Sequence, residues 1–545
     1  MTRLKNSRLE KERGYIIKSG AQIKFALVYP NFYNVGMSNL GIHIIYQLLN
    51  SMPNVSCERF FLPEVLSVET QTPLNKFDVI GFAVSFEQDY FNVVKMLQLA
   101  KIKIRAAERT KFDPIIIAGG PCATFNPEPL SLIFDAFVIG EGEVILPPFI
   151  EVLKENLPRL ETLEKISQVA GMYVPKFLEC EYNFDGTIKN HYCLLPTAYC
   201  LKRQWLKNLD EFPAHSVIIT DNTEFNMYLI ETARGCGHHC RFCMAGYCFR
   251  KPRNRSLEIL KAEVDAAKKF GKKIGLMGAA ISDYPQINEL CKYILDSNLE
   301  MSVASFRADS VTKELVTALV KSGLKTLTVA PEVGSEKMRA VVNKSITEEN
   351  IFTAVELGIA AGLKNFKLYF MVGLPFEELA DVEEIVNLTT RLKKFVGSCK
   401  LTLSVNPFVP KPFTPFQWAK FADKKYLNAA LKILKNGLKN LRGVEIISES
   451  IKSAEVQAIL ARGDRRIAEF VIQSDSPQRF LQVLRENQID ENFYLRERAA
   501  DEILAWDFLD MGFSKKYLRA EFERAAALKS TPACFDGCKR CGVCI

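Results

Sequence analysis

Met227-Tyr228-Leu229-Ile230-Glu231-Thr232-Ala233-Arg234-Gly235-Cys236-Gly237-His238-His239-Cys240-Arg241-Phe242-Cys243 carries a short apolar strand directly into a loop with three cysteines. The thiol spacing is CxxxCxxC. Three thiolates can hold three irons of a cubane and leave the fourth iron open to a chelating substrate. A tetrahedral zinc site would need a fourth donor, and His238, His239 or Cys248 could serve; thiolates suit either metal. A cysteine loop at the carboxyl end of a strand lies on the face where barrel enzymes place their chemistry.

Downstream, strands and helices keep alternating to about residue 416. The strand candidates are 227–230, 273–276, 301–304, 326–329, 365–370 and 401–405. Six such strands predict a partial (β/α)6 barrel over 225–416. Upstream, residues 1–150 show the same alternation, with apolar strands at 23–28, 79–84, 115–118 and 136–139 and a helical stretch at 90–107. That pattern predicts an α/β, doubly wound (Rossmann-like) parallel sheet. Residues 151–224 read as a connector, 417–528 as a helical C-terminal region and 529–545 as a cysteine-rich metal-binding tail.

The turns of the N-terminal sheet carry small residues where ligands bind such folds. The first of these strands runs into Tyr29-Pro30-Asn31, the third into Gly119-Gly120-Pro121, and the fourth into Gly140-Glu141-Gly142-Glu143. Each glycine could merely shape a turn, but several such turns on successive strands predict a binding face.

With 545 residues the chain exceeds one ordinary core, and roughly 150 residues per domain predicts three or four units. Nearly half of it is apolar and a quarter charged, which fits folded rather than disordered protein. The net charge of +8 is spread along the sequence and selects no partner. No apolar run is long enough to span a membrane and the N-terminus lacks a signal-peptide core, so a cytoplasmic location without a membrane is expected. Fifteen cysteines in such a setting point to metal or redox ligands rather than disulfides. Eight are isolated and read as buried fillers. Four stand at the end, Cys534, Cys538, Cys541 and Cys544. Their tight spacing suits an iron–sulfur cluster, zinc or redox thiols.

CxxxCxΦC with an aromatic Φ, here Cys236, Cys240, Phe242 and Cys243, resembles the signature of the radical S-adenosylmethionine (SAM) superfamily. The resemblance implies a 4Fe-4S cluster on the three cysteines. It also implies S-adenosylmethionine chelating the open iron, Phe242 near the adenine, and cleavage to a 5′-deoxyadenosyl radical that abstracts hydrogen from a substrate. An electron donor such as flavodoxin or ferredoxin follows from the same resemblance. The loop at 277–280 lacks the acidic residue of the family's Gly-Gly-Glu, and Asp283 is nearby. Glu332, in Ala330-Pro331-Glu332-Val333-Gly334-Ser335, is a candidate for the ribose or methionine moiety, against a structural ion pair.

The N-terminal domain is similar to the cobalamin-binding domain of one branch of that superfamily. Ser85, after the second strand, and Gly119 and Gly120 fall where that family lines the buried nucleotide tail, and Gly140 and Gly142 fit its next loop. The cobalt-binding pattern Asp-x-His-x-x-Gly is replaced by Asn31-Phe32-Tyr33-Asn34-Val35-Gly36, and His43 lies further on. Residues 23–545 resemble one family of radical proteins with such a domain; the stretch at 410–418 also resembles tRNA methylthiotransferases, unless it simply closes the barrel edge. The implied activity is cobalamin-dependent methyl or alkyl transfer to an unactivated carbon of an RNA, protein or small-molecule substrate. The alternatives are methylthiotransferase-like RNA or protein modification or rearrangement without cobalamin, and a binding protein with zinc in both cysteine sets.

Overall fold

The structure is a computed structural model that describes residues 8–195, 201–535 and 537–544. The chain packs into two compact units that interleave in sequence. The first comprises Met1–Asn226, Ile459–Tyr494 and Asp501–Gly512, and the second Met227–Ala458, Leu495–Ala500 and Phe513–Ile545.

In the first unit the strands are β1 (Ile23–Phe32), β2 (Val55–Leu62), β3 (Val79–Ala83), β4 (Ile115–Gly119), β5 (Ala136–Val138) and β6 (Met172–Tyr173). They form one sheet in the order β2-β1-β3-β4-β5-β6. All pairs are parallel except β5 with β6. β2 is buried along its whole length and β1 over most of it, as expected for a parallel sheet covered on both faces. Helices α1 (Leu40–Ser51), α2 (Tyr90–Leu99), α3 (Gly142–Lys154) and α4 (Arg159–Gln168) connect them. Phe25, Leu27, Tyr46, Ile117, Ile145 and Phe149 belong to the core on one side. The strand order reverses direction between β1 and β3, and that crevice at the carboxyl edge is where doubly wound sheets bind ligands. β6, and a hairpin of Leu178–Tyr182 with Ile188–Cys193, come from the stretch read as a connector.

The second unit contains β7 (Met227–Glu231), β8 (Lys273–Met277), β9 (Met301–Ser302), β10 (Thr326–Glu332), β11 (Asn365–Val372), β12 (Lys400–Pro407) and β13 (Val444–Ser448). They form a three-stranded sheet, β7-β8-β9, and a four-stranded sheet, β10-β11-β12-β13. A bridge between Phe306 and Val329 joins the segment after β9 to β10. The six expected strands are all present. β13 corrects the reading of 417–528 as helical, because Val444–Ser448 adds a parallel edge strand beside β12. The stretch at 413–418 is packed inside: Trp418 is 1% exposed and, like Phe416, meets the ring of Phe522 edge-on. Among the described residues no helix is long and apolar enough to cross a membrane.

Candidate active site and cysteine clusters

The CxxxCxxC loop begins where β7 ends, and its entry is clamped. Glu231 is held by Arg234 (2.9 Å) and Arg255 (2.7 Å), whose charges keep its carboxyl below the usual range despite burial. Ala233–Arg234 pairs antiparallel with Arg253–Asn254. Gly235 adopts φ +84°, and a Cβ there would lie 2.2 Å from the Phe249 carbonyl oxygen, so the loop can pass only as glycine. The Cys243 amide donates to the Cys240 carbonyl.

The three thiols are neighbours. Burial pushes Cys236 up to about 11 and Cys243 up to about 12, and each of these thiols is raised further by Cys240. Cys240 is 8% exposed; burial raises it, while Lys344 and Arg307 pull it down. The Arg307 guanidinium lies 4.0 Å from the Cys240 sulfur. Among the described residues no group of three or more His, Cys, Asp or Glu side chains converges on one metal-sized point. The donor set nevertheless fits a cluster: three thiols in one loop, two cations beside them, and no fourth cysteine within the CxxxCxxC motif.

Glu332 stands at the end of β10 with φ +70° and pairs with the buried Lys344 at 3.0 Å. Its carboxylate raises the Cys240 and Cys243 thiols, which puts it within electrostatic reach of the loop. Phe242 packs beside Val333, Leu374 and Phe408, a core patch lined by residues from the loops after β10, β11 and β12. Asp283, in the turn after β8, pairs with His238 at 2.6 Å. Arg307 and Lys344 were not singled out from the sequence, and His238 and Asp283, named there separately, were not expected to pair. Each lies in a segment following a barrel strand, but nothing local separates Arg307 and Lys344 from the other basic residues, 71 Lys and Arg in all.

The terminal cysteines lie in the same unit. The Cys534 amide donates to the Gly237 carbonyl (2.8 Å), and its sulfur lies 3.3 Å from His239 Nε2. Cys538 and Cys541 are buried and Cys544 is exposed. Burial raises the Cys534 thiol, and the thiols of Cys538, Cys541 and Cys544 raise it further. Asn343 Nδ2 donates to the carbonyls of His239 (3.1 Å) and Thr531 (3.0 Å), and its Oδ1 accepts from the Thr531 amide (2.7 Å). Arg241 donates to the Lys529 carbonyl (2.6 Å) and to Glu521 (3.2 Å). Of the isolated cysteines, Cys57, Cys122, Cys248 and Cys291 are buried, Cys180 and Cys399 half-buried, Cys193 exposed, and Cys200 lies outside the described residues.

In the first unit, Ser85, Gly119, Gly120, Gly140 and Gly142 lie at or just beyond the carboxyl ends of β3, β4 and β5. Gly120 has φ +100°, and its Cβ would meet the Val84 carbonyl oxygen at 2.7 Å; that of Gly140 would meet the Gln204 carbonyl oxygen at 2.0 Å. The protein's own backbone requires these two glycines. A Cβ at Gly142 would meet the tip of Ile45 at 2.6 Å, whereas one at Gly119 makes only ordinary contact with Val138 at 3.5 Å. Phe32 and Phe86, beside the crevice between β1 and β3, are exposed. Tyr33, at the position of the missing histidine, is buried and donates its hydroxyl to Glu12. His43 is 2% exposed: Nδ1 accepts from the Val217 amide (3.2 Å) and Nε2 lies 3.1 Å from the Met37 carbonyl. Both nitrogens of His43 therefore serve the fold.

A strand-end loop of three thiols on an incomplete barrel, preceded by a doubly wound sheet, defines an enzyme class that matches independent comparisons. Residues 230–389 match the Radical SAM superfamily and residues 41–175 match Radical SAM proteins, N-terminal. The chain is 31% identical over 474 residues to uncharacterized protein MJ0966 of Methanocaldococcus jannaschii, across 86% of this chain and 95% of that one. It is 23% identical over 331 residues to uncharacterized methyltransferase PH0819 of Pyrococcus horikoshii, across 58% and 64%. Among solved structures, the cobalamin-dependent S-adenosylmethionine radical enzyme OxsB with aqua-cobalamin bound aligns with TM-score 0.48 and 17% identity, across 86% of this chain and 62% of that one. The chain belongs to the radical SAM superfamily and is an enzyme of that class. A 4Fe-4S cluster and SAM come with that membership.

Proposed function

We propose that this enzyme transfers a methyl or alkyl group to an unactivated carbon, with cobalamin at the carboxyl edge of the N-terminal sheet. The carrying observation is one chain that combines the Cys236/Cys240/Cys243 loop with a sheet whose crevice is edged by exposed Phe32 and Phe86 and by the small residues Ser85 and Gly119. Exposed rings there would cover the faces of a large flat ligand. The similarity to a protein named a methyltransferase points the same way. When bound, the cluster and SAM supply hydrogen-abstracting radical chemistry, and cobalamin supplies a transferable methyl group.

The chain's own residues have distinct parts in this reading. Cys236, Cys240 and Cys243 hold the cluster, and the Arg307 and Lys344 cations offset the negative charge of the thiolates. Phe242 lies against the adenine. Glu332, held by Lys344, meets the ribose or methionine portion. Tyr33 and His43 are committed to the fold, so neither would be available as a ligand to a bound cobalamin. The four terminal cysteines bind a second metal. The location is cytoplasmic, and electrons come from a flavodoxin- or ferredoxin-like donor.

The test is anaerobic reconstitution with iron, sulfide and cobalamin, followed by assay of 5′-deoxyadenosine and of cobalt per chain. Wild type should form 5′-deoxyadenosine and retain cobalt, and the C236A/C240A/C243A variant should form none. Product formation by that variant overturns the radical reading. A wild type that takes up no cobalamin overturns methyl transfer through cobalt and favours modification without it.

A further inference from the structure

The residues between the first three thiols hold the tail. Gly237 accepts the Cys534 amide, Arg241 grips Lys529 and Glu521, and the His239 carbonyl shares Asn343 with Thr531. The His239 side chain, 1% exposed, reaches Cys534 itself. Its Nδ1 lies 3.0 Å from an Arg250 Nη and 2.7 Å from the Tyr517 hydroxyl. A guanidinium can only donate, so Nδ1 is the acceptor and the imidazole proton sits on Nε2. That N–H points at the Cys534 sulfur, 3.3 Å away.

We infer that Cys534, Cys538, Cys541 and Cys544 together ligate a second 4Fe-4S cluster, with His239 donating an N–H···S hydrogen bond to the Cys534 sulfur. This rests on the reading that the tail thiols bind metal, and it adds which metal and how it is tuned.

Spacing favours iron–sulfur over zinc. Cys534, Cys538 and Cys541 repeat the CxxxCxxC spacing of Cys236, Cys240 and Cys243, and Cys544 adds a fourth thiol three residues further on. Structural zinc sites built from four cysteines separate two CxxC pairs by a longer loop. Four thiolates occupy every iron of a cubane, so this cluster offers no open iron for a chelating substrate and is confined to holding an electron. Hydrogen bonds to cluster sulfurs stabilise the more negative, reduced form and raise the potential. His239 is thus a positioning residue that acts through Cys534, and as part of the CxxxC segment it joins the second cluster to the loop of the first.

The experiment uses the full chain reconstituted anaerobically with iron and sulfide. Wild type should carry about eight irons and the C236A/C240A/C243A variant about four. The triple variant should show the paramagnetic resonance of a reduced 4Fe-4S cluster, lost when C541S and C544S are added. In the triple-variant background, H239L should lower the midpoint potential of the remaining cluster at unchanged iron content. H239Q, which restores a side-chain N–H, should recover part of the shift. A triple variant that holds zinc or no metal overturns the inference and leaves the radical assignment intact, provided wild type forms 5′-deoxyadenosine. A wild type that forms none while the triple variant keeps its iron overturns the radical reading and leaves this one standing. An unchanged potential in both His239 variants overturns the role of His239.

Discussion

Arg59 is a fully buried guanidinium, and its two partners, Glu12 and Glu69, each sit 2.6 Å away with almost no exposure. Removing one member of a buried ion set leaves an uncompensated charge and costs about 3–5 kcal/mol. R59L should therefore lower the unfolding midpoint sharply, and the E12Q/R59L/E69Q variant should recover much of that loss. An R59L protein as stable as wild type would show that water or rearrangement solvates the two carboxylates. The glycines of the N-terminal crevice separate at the same scale. G120V should destabilise the unit whatever it binds, because the new side chain meets the Val84 backbone at positive φ. G119V has no such conflict. It should fold as wild type yet lose cobalamin, read as cobalt per chain after reconstitution with the iron content unchanged. The sequence alone does not separate these two adjacent glycines, since both are small residues at a strand end and the difference lies in which backbone passes beside each.

Elements were legible where their pattern was long and their context local. β8, β10, β11 and β12 have apolar runs bounded by turns, and the cysteine loop follows β7 as its strand-end position predicts. β13 was missed because Val444-Glu445-Ile446-Ile447-Ser448 is a short, largely exposed edge strand, and only pairing with β12 makes it a strand. The contacts of the cysteine loop were less legible, because Arg307, Lys344 and Cys534 reach it from 64 to 291 residues beyond Cys243. The turn after β11 carries a pH signal. Glu377 Oε1 accepts from the Gly373 amide (2.7 Å) and the Tyr426 hydroxyl (2.9 Å), yet burial pushes its carboxyl up to about 7. A raised folded value means the native state holds the proton more tightly than the unfolded chain does. Glu377 thus contributes stability below about pH 4.5 that is lost as pH rises through about 7. E377Q keeps the acceptor oxygen without the charge. The midpoint difference between variant and wild type should be small at pH 5 and favour the variant at pH 8, by up to about 3 kcal/mol. Equal pH profiles would place the carboxylate in water.

At the scale of the whole molecule, the order of segments along the chain differs from the order in which they pack. The first unit takes Met1–Asn226 together with Ile459–Tyr494 and Asp501–Gly512, so its core is completed by residues more than 230 positions downstream. Glu128, fully buried, is paired by Arg465 at 2.8 Å. Asn126 Nδ2 donates to the carbonyls of Ala461 (3.0 Å) and Gly463 (2.7 Å). Phe91 packs on Phe480, and Tyr173 on Phe508. No linear reading of composition or periodicity reveals this, because each later segment looks like an ordinary amphipathic helix or turn. The consequence is testable by dissection. A fragment of residues 1–226 keeps every strand of the N-terminal sheet but exposes the rings of Phe91 and Tyr173 and strands the Glu128 carboxylate without its cation. It should bind a hydrophobic dye, lose near-ultraviolet circular dichroism and unfold without a cooperative transition. Adding residues 459–512 through a flexible linker should restore cooperativity, since that span carries Arg465, Phe480 and Phe508. A cooperative, dye-silent 1–226 fragment would mean that the sheet and its own helices suffice, and that the later segments cover a core already formed.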